Sequence, residues 1–188
     1  MVSSTENKVA KAASLNRKGI GLTDDGKYAE AIAVFQAALE AGGRLVGILY
    51  NRAEAERLAG DFDAARRDLD EALALSPDEP DYLHALGLLA YDSDDFAAAD
   101  SFFDRVVALK VDHPQAWNDK GIIRFRKGDF RAARDCFEKA VAAEPSLSEG
   151  WFNLADTYDE LGMKADRARA LKRLAELGSR PDGEESGE

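Results

Sequence analysis

Residues 128–145 read GDFRAARDCFEKAVAAEP, and residues 60–77 read GDFDAARRDLDEALALSP. The same order of residue types occurs at 26–40, in GKYAEAIAVFQAALE. In each copy the apolar side chains after the glycine fall at helical spacing, which predicts a helix with one buried face. The interval from Gly26 to Gly60 is one period, and a fixed period of this length is typical of stacked helix pairs.

The period continues through most of the chain. One position of every segment holds a small residue, namely Gly19, Ala53, Gly87, Gly121 and Ala155. A second position holds an alanine with a large apolar residue four places later, in the pairs Ala31 and Phe35, Ala65 and Leu69, Ala99 and Phe103, and Ala133 and Phe137. These patterns predict two helices per segment that approach closely at the small residues. Turns between the two helices are predicted at Gly26, Gly60, Asp94, Gly128 and Gly162.

The segments resemble tetratricopeptide repeats, whose pattern is W-x2-L-G-x2-Y, then A-x3-F, then P, within one period. This resemblance implies an all-α fold, a right-handed superhelical solenoid of antiparallel helix pairs. The predicted division lists a partly helical N-terminal extension at 1–11, repeats at 12–45, 46–79, 80–113 and 114–147, a fifth repeat at 148–178 that acts as a C-terminal cap, and an acidic, disordered tail at 179–188.

The fifth segment departs from the pattern in its second helix. Lys164 replaces an aromatic residue, and Arg167 stands where alanine is expected. The helical spacing predicts one apolar side, made of Ala168, Leu171, Leu174 and Ala175, and one basic side. Because terminal repeats need a polar outer face, we interpret the basic side as the outer one.

Composition narrows the possible functions. The net charge is −11, and residues 61–100 contain twelve acids against Arg66 and Arg67, a local net charge of −10. This balance argues against nucleic acid as a partner, because phosphate backbones attract basic surfaces. The sequence has no apolar run long enough for a membrane helix, and its first residues do not resemble a secretory signal. We therefore expect a cytoplasmic protein without membrane insertion, with Cys136 as an ordinary buried or half-buried thiol.

The resemblance implies a concave groove lined by the first helix of each repeat, which holds a peptide or a helix of a partner protein. Helical geometry selects the side chains that point into it. We call them the groove set: Asn16, Tyr50, Asn51, Arg57, His84, Leu88, Tyr91, Asn118, Ile122, Phe125, Phe152 and Asn153. Its apolar members predict an exposed stripe of the kind that marks binding sites. Its asparagines could pair with a bound main chain, and the acids of 61–100 favour a partner with basic and apolar residues.

Relatives of this fold that bind the EEVD tails of heat-shock chaperones resemble one another in a clamp of lysine, arginine and asparagine. Carried onto this chain, the clamp positions hold Asn16, Ile20, Asn51, Asp81 and Ala85. Only the middle asparagine matches, and Asp81 would repel a carboxylate. The sequence therefore predicts that heat-shock tails are not the partner.

No pattern in the sequence indicates catalysis. His84 and His113 stand far apart and lack further ligands at metal spacing, and no glycine-rich phosphate loop is present. We therefore expect no enzyme, no cofactor and no metal. The leading hypothesis is an adaptor or scaffold for protein–protein interaction. Two alternatives stay open: a dedicated chaperone or assembly factor for a secreted or filament subunit, and a self-associating structural protein.

Overall fold

The computed structural model describes residues 4–42 and 46–178. In these ranges the chain forms helices only. They are α1 (Ser4–Asp24), α2 (Tyr28–Gly42), α3 (Val46–Ala59), α4 (Phe62–Leu75), α5 (Pro80–Asp92), α6 (Phe96–Leu109), α7 (Pro114–Arg126), α8 (Phe130–Ala143), α9 (Ser148–Glu160) and α10 (Lys164–Gly178). The predicted all-α class of paired helices is confirmed. The tail at 179–188 lies outside the described residues, and the repeat boundaries stay a prediction.

The turns within the pairs adopt the left-handed backbone that the sequence predicts. The glycines Gly26, Gly60, Gly128 and Gly162 have φ between 69° and 84°. Asp94 takes the equivalent place with φ 60°, a conformation that costs a residue with a Cβ more than it costs glycine. Just after the turns, Asp61 and Asp129 accept the backbone N–H groups of Ala64 and Ala132, which caps α4 and α8.

The chain divides into two compact units. Unit 1 comprises residues 1–102, with α1 to α5 and the start of α6. Its core contains alanines and large apolar residues in two clusters: Ala12, Ala31, Phe35, Ala38, Ile48 and Ala55 in the first, and Ala53, Ala65, Leu69, Ala85, Leu86 and Leu89 in the second. The predicted close approach occurs at Gly19, where an added Cβ would lie 2.5 Å from a ring carbon of Phe35.

A charged cluster joins α3 and α4 inside unit 1. The guanidinium of Arg52 donates two hydrogen bonds of 2.6 Å to the carboxylate of Asp68, and it lies 3.6 Å from Glu56. Asp68 and Glu56 are both buried. Burial, together with the charge of Asp68, raises the pKa of Glu56 to about 7, although Arg52 opposes the shift. This helix pair therefore contains a carboxyl group whose charge changes near neutral pH.

Unit 2 comprises residues 103–188, with the end of α6 and α7 to α10. Its core cluster consists of Ala133, Phe137, Val141, Leu154, Ala155, Tyr158 and Ala170. Lys120 extends its buried amine to the carboxylate of Asp104. His113 precedes the first residue of α7 and caps that helix, because its Nδ1 accepts the N–H of Ala116 at 3.2 Å. Cys136 is buried as predicted, and burial raises the pKa of its thiol.

The orientation predicted for α10 is wrong. The one buried residue of this helix is Ala170, and the basic side chains of Arg167 and Arg173 are half-buried beside it. Three residues of the expected inner side, Ala168, Leu171 and Ala175, are exposed. Leu174 alone of that side is half-buried. The long stems of arginines can cover apolar surface while their charged ends reach water, which permits this orientation.

Candidate functional site

The groove set divides between the two units. Seven of its residues lie on α1, α3 and α5 of unit 1, and five lie on α7 and α9 of unit 2. Within unit 1, α3 packs against both α1 and α5, and within unit 2, α7 packs against α9. The first helices are thus neighbours inside each unit, so their side chains can form one face on each unit.

The asparagines of the groove set bind each other. In unit 1, the amide nitrogen of Asn51 donates to the side-chain oxygen of Asn16 at 3.0 Å. In unit 2, Asn153 donates in the same way to Asn118 at 2.9 Å, and Asn118 is buried. Both pairs join residues 35 positions apart. These amides therefore hold adjacent first helices together, a role that the sequence interpretation did not anticipate.

Arg57 is likewise occupied within unit 1. Its guanidinium contacts the carboxylate of Glu54 at 3.2 Å and that of Asp92 at 2.5 Å. Asp92 again lies 35 residues further along the chain, so this ion pair links α3 to the end of α5. The cation is therefore paired with two acids.

The aromatic residues on unit 1 are partly covered by their neighbours. The ring of Tyr50 lies 5.4 Å from that of Tyr82, and burial with the charges of Glu54 and Asp81 raises its pKa to about 12. Tyr91 makes an edge contact with Phe96 at 5.3 Å. His84 and Leu88 on α5 are half-buried. Beside this set, Ile20, Leu58, Asp24, Glu54 and Asn51 line a hollow of about 250 Å³ above Phe35.

Unit 2 presents two adjoining hollows on α7 and α9. The first, of about 90 Å³, is lined by Ile122, Phe125, Arg126, Phe137, Asn153 and Asp156. The second, of about 500 Å³, is lined by Asn118, Ile122, Ser148, Glu149, Phe152, Asn153 and Leu174. Ile122 and Asn153 border both hollows. The site therefore combines apolar side chains with the shared amide of Asn153 and with charged groups.

The predicted exposed stripe is wrong in its extent. Phe152 is exposed over 53% of its surface, whereas the other five apolar members, Tyr50, Leu88, Tyr91, Ile122 and Phe125, are half-buried. Ile122 and Phe125 pack against the core of unit 2, and Phe125 contacts Phe130 with ring centroids 5.1 Å apart. Adjacent helices cover these side chains in part, which the periodicity of a single helix cannot reveal.

Residues that line the hollows but lie outside the groove set include Leu58 and Arg126. Leu58 follows the groove residue Arg57 directly and is 44% exposed. No pattern in the sequence distinguishes it from core leucines.

Across 4–42 and 46–178, no group of three or more His, Cys, Asp and Glu side chains is arranged to hold a metal ion. Over the same ranges, no helix combines the length and apolar character that crossing a membrane requires.

These helix pairs define a class of protein, the repeat proteins built from stacked helical hairpins. Four family models described as tetratricopeptide repeat match the chain at residues 16–80, 56–119, 114–147 and 136–170. The chain belongs to the tetratricopeptide repeat family, whose general role is that of a protein-interaction scaffold. A curated relative, the Tetratricopeptide repeat protein 36 homolog of Drosophila pseudoobscura pseudoobscura, is 38% identical over 71 residues, which is 38% of this chain and 38% of that protein.

Solved structures share the fold at low sequence identity. PilF of Pseudomonas aeruginosa superposes with a TM-score of 0.82 at 15% identity, covering 93% of this chain and 80% of that one. MamA superposes with a TM-score of 0.69 at 19% identity, covering 85% and 94%. A chain of the APC/C hetero-tetramer Cut9–Hcn1 gives 0.79 at 21% identity, covering 95% and 36%. These likenesses show the fold alone.

Proposed function

We propose that this protein is an adaptor that binds a peptide or a helical segment of a partner protein on the face of its first helices. The observation that supports this most directly is the pair of hollows on unit 2, which share Ile122 and Asn153. Ligand sites are typically concave and largely apolar, with a few polar groups that fix orientation. This face has that composition.

Asn153 can contribute to recognition even though it is hydrogen-bonded. A carboxamide has two N–H donors and an oxygen with two lone pairs, and Asn153 uses one donor for Asn118. The remaining N–H and the oxygen suit the main chain of a bound segment. Because the bond to Asn118 orients the amide in advance, less conformational entropy is lost on binding.

The charges of unit 1 favour a partner with basic and apolar residues. Its hollow combines the apolar side chains of Ile20 and Leu58 with the carboxylates of Asp24 and Glu54. The acids of 61–100 add a negative field that would attract a basic segment and speed its association. Heat-shock EEVD tails, which are acidic, do not suit this surface.

The experiment is affinity capture from a native lysate, followed by titration of the purified partner. Wild type is compared with Tyr91→Glu/Phe125→Glu, which places charges on both units. Since Tyr91 and Phe125 also pack on Phe96 and Phe130, circular dichroism must show that this variant keeps its helicity.

A second variant, Ile20→Glu, places a charge at a side chain that is 39% exposed and is therefore compatible with folding. Its matched control is Leu75→Glu. Leu75 is 49% exposed and lies in the same unit, but it does not line the hollow of unit 1 and does not belong to the groove set. We expect both test variants to lose the partner and Leu75→Glu to retain it. Equal binding by all proteins would refute the proposal. A captured partner that precipitates when produced alone would favour the chaperone alternative.

A further inference from the structure

The last helix pair, α9 and α10, carries apolar side chains on a surface that nothing in the described ranges covers. Phe152 on α9 is 53% exposed and Leu171 on α10 is 40% exposed. At the equivalent positions of the preceding repeat stand Asn118 and Phe137, which are 4% and 1% exposed. That repeat is covered by the next one, because α9 packs against α7 and α8. The same positions of the fifth repeat face outward.

The two helices have net charges of opposite sign. The acids of α9 are Glu149, Asp156, Asp159 and Glu160, with no base, which gives a net charge of −4. The charges of α10 are Lys164, Arg167, Arg169, Lys172 and Arg173 against Asp166 and Glu176, which gives +3. Glu149 and Lys172 flank the apolar side chains and are exposed. Within the described part of the chain neither forms an ion pair.

We propose that this surface binds a second copy of the chain in a two-fold dimer, in which α9 of each copy lies on α10 of the other. Closed two-fold contacts use the same surface on both copies. A two-fold axis that runs between the two helices, parallel to them, brings each acidic helix over a basic one. An axis perpendicular to the helices would instead place acid on acid, which disfavours that arrangement.

The positions of the apolar residues fit this arrangement. Phe152 lies eight residues before the end of α9 at Glu160, and Leu171 lies seven residues after the start of α10 at Lys164. At 1.5 Å per residue both side chains are about 11 Å from the turn that joins the helices. An axis parallel to the helices keeps these heights, so Phe152 of one copy meets Leu171 of the other.

The size of the surface predicts a dimer that dissociates on dilution. Helices of 13 and 15 residues are about 20 Å long. Two of them packed about 10 Å apart form a face about 20 Å wide, so it measures on the order of 400 Å² per copy. That is below the roughly 800 Å² per partner of standard interfaces. The segment that follows α10 in sequence, SRPDGEESGE at 179–188, has no large apolar side chain with which to bury Phe152 and Leu171 instead.

Sedimentation velocity of the full chain, from micromolar to millimolar concentration, tests the proposal. We expect a monomer–dimer equilibrium for the wild type and at least about tenfold weaker association for Leu171→Glu. Leu75→Glu, at a comparably exposed leucine on unit 1, is the control and should dimerise as the wild type does. Circular dichroism checks that each variant folds.

Charge reversal tests the pairing of the helices. Lys172→Glu alone and Glu149→Lys alone should each weaken the dimer, and the two together in one chain should restore it. A wild type that stays monomeric throughout would overturn the proposal, as would a dimer insensitive to Leu171→Glu. Failure of the double reversal to restore association would overturn the α9-on-α10 arrangement. Phe152 and Glu149 also line the second hollow of the adaptor site, so a second copy and the groove partner would share part of one surface. Capture of the groove partner by a monomeric Leu171→Glu would show that the adaptor function does not require the dimer.

Discussion

The ring of Phe137 lies where a side chain on Gly121 would have to be: a Cβ there would come within 2.6 Å of the ring carbon Cδ1. Gly19 and Phe35 have the same relationship in the first repeat. The second repeat has Ala53 with Leu69, and the fifth has Ala155 with Leu171. Where the first helix carries glycine the second carries phenylalanine, and where it carries alanine the second carries leucine.

Gly121→Ala should therefore destabilise the protein, by about 1–3 kcal/mol, because the methyl group overpacks against a buried ring. Adding Phe137→Leu should recover part of that loss by reproducing the alanine–leucine pair. The midpoint of urea unfolding measures both effects. Gly21→Ala is the control, because Gly21 lies in α1 with nothing within 4 Å of an added Cβ, and it should gain about 0.5–1 kcal/mol. A neutral Gly121→Ala would contradict the packing argument.

Asn153→Ala should destabilise unit 2 by about 1–3 kcal/mol, because it leaves the buried oxygen of Asn118 without its hydrogen bond. Asn118→Ala combined with Asn153→Ala completes a double-mutant cycle, and we expect the double variant to cost less than the sum of the two single ones. Chemical denaturation supplies the free energies. Strict additivity would show that the two amides do not interact.

Asp94→Gly should stabilise the protein by about 1 kcal/mol, because Asp94 has φ 60° and glycine adopts that backbone without steric cost. Gly128→Asp, the reverse change at φ 74°, should destabilise it by a similar amount. Thermal melting monitored by circular dichroism reports both. Shifts of the same sign in the two variants would refute the explanation.

Glu56 should make the free energy of unfolding fall as the pH rises from about 4.5 to about 7. Its folded pKa of about 7 exceeds the ordinary value of 4.5, so the folded state binds more protons in this window, and unfolding becomes easier as they are lost. Glu56→Gln should remove this dependence and raise stability at pH 8 by roughly 1–3 kcal/mol.

Urea unfolding at a series of pH values measures the effect of Glu56. Glu160→Gln, at an exposed glutamate of α9, provides the comparison and should leave the pH profile unchanged. A profile equally steep in Glu56→Gln and the wild type would show that other groups determine it.

The periodic features of the fold could be predicted from the sequence because they depend on local chemistry. Residue type determines the left-handed turns at Gly60 and Gly128. Helical spacing determines which alanines and aromatics of the second helices are buried. These signals recur in every repeat, so each copy supports the others. The helix pairs and the family followed from them.

The tertiary structure decided the properties of the site, because those depend on which side chains meet across helices. The bond from Asn51 to Asn16 and the ion pair of Arg57 with Asp92 connect residues 35 apart, a distance along the chain at which single-helix periodicity carries no information. The outward orientation of Leu171 likewise depends on which side of α10 packs against α9. Either side of α10 has residues that could pack there, so the sequence alone does not fix the orientation. Sequence spacing specified the helices, and packing between helices determined which of their side chains remain available to a partner.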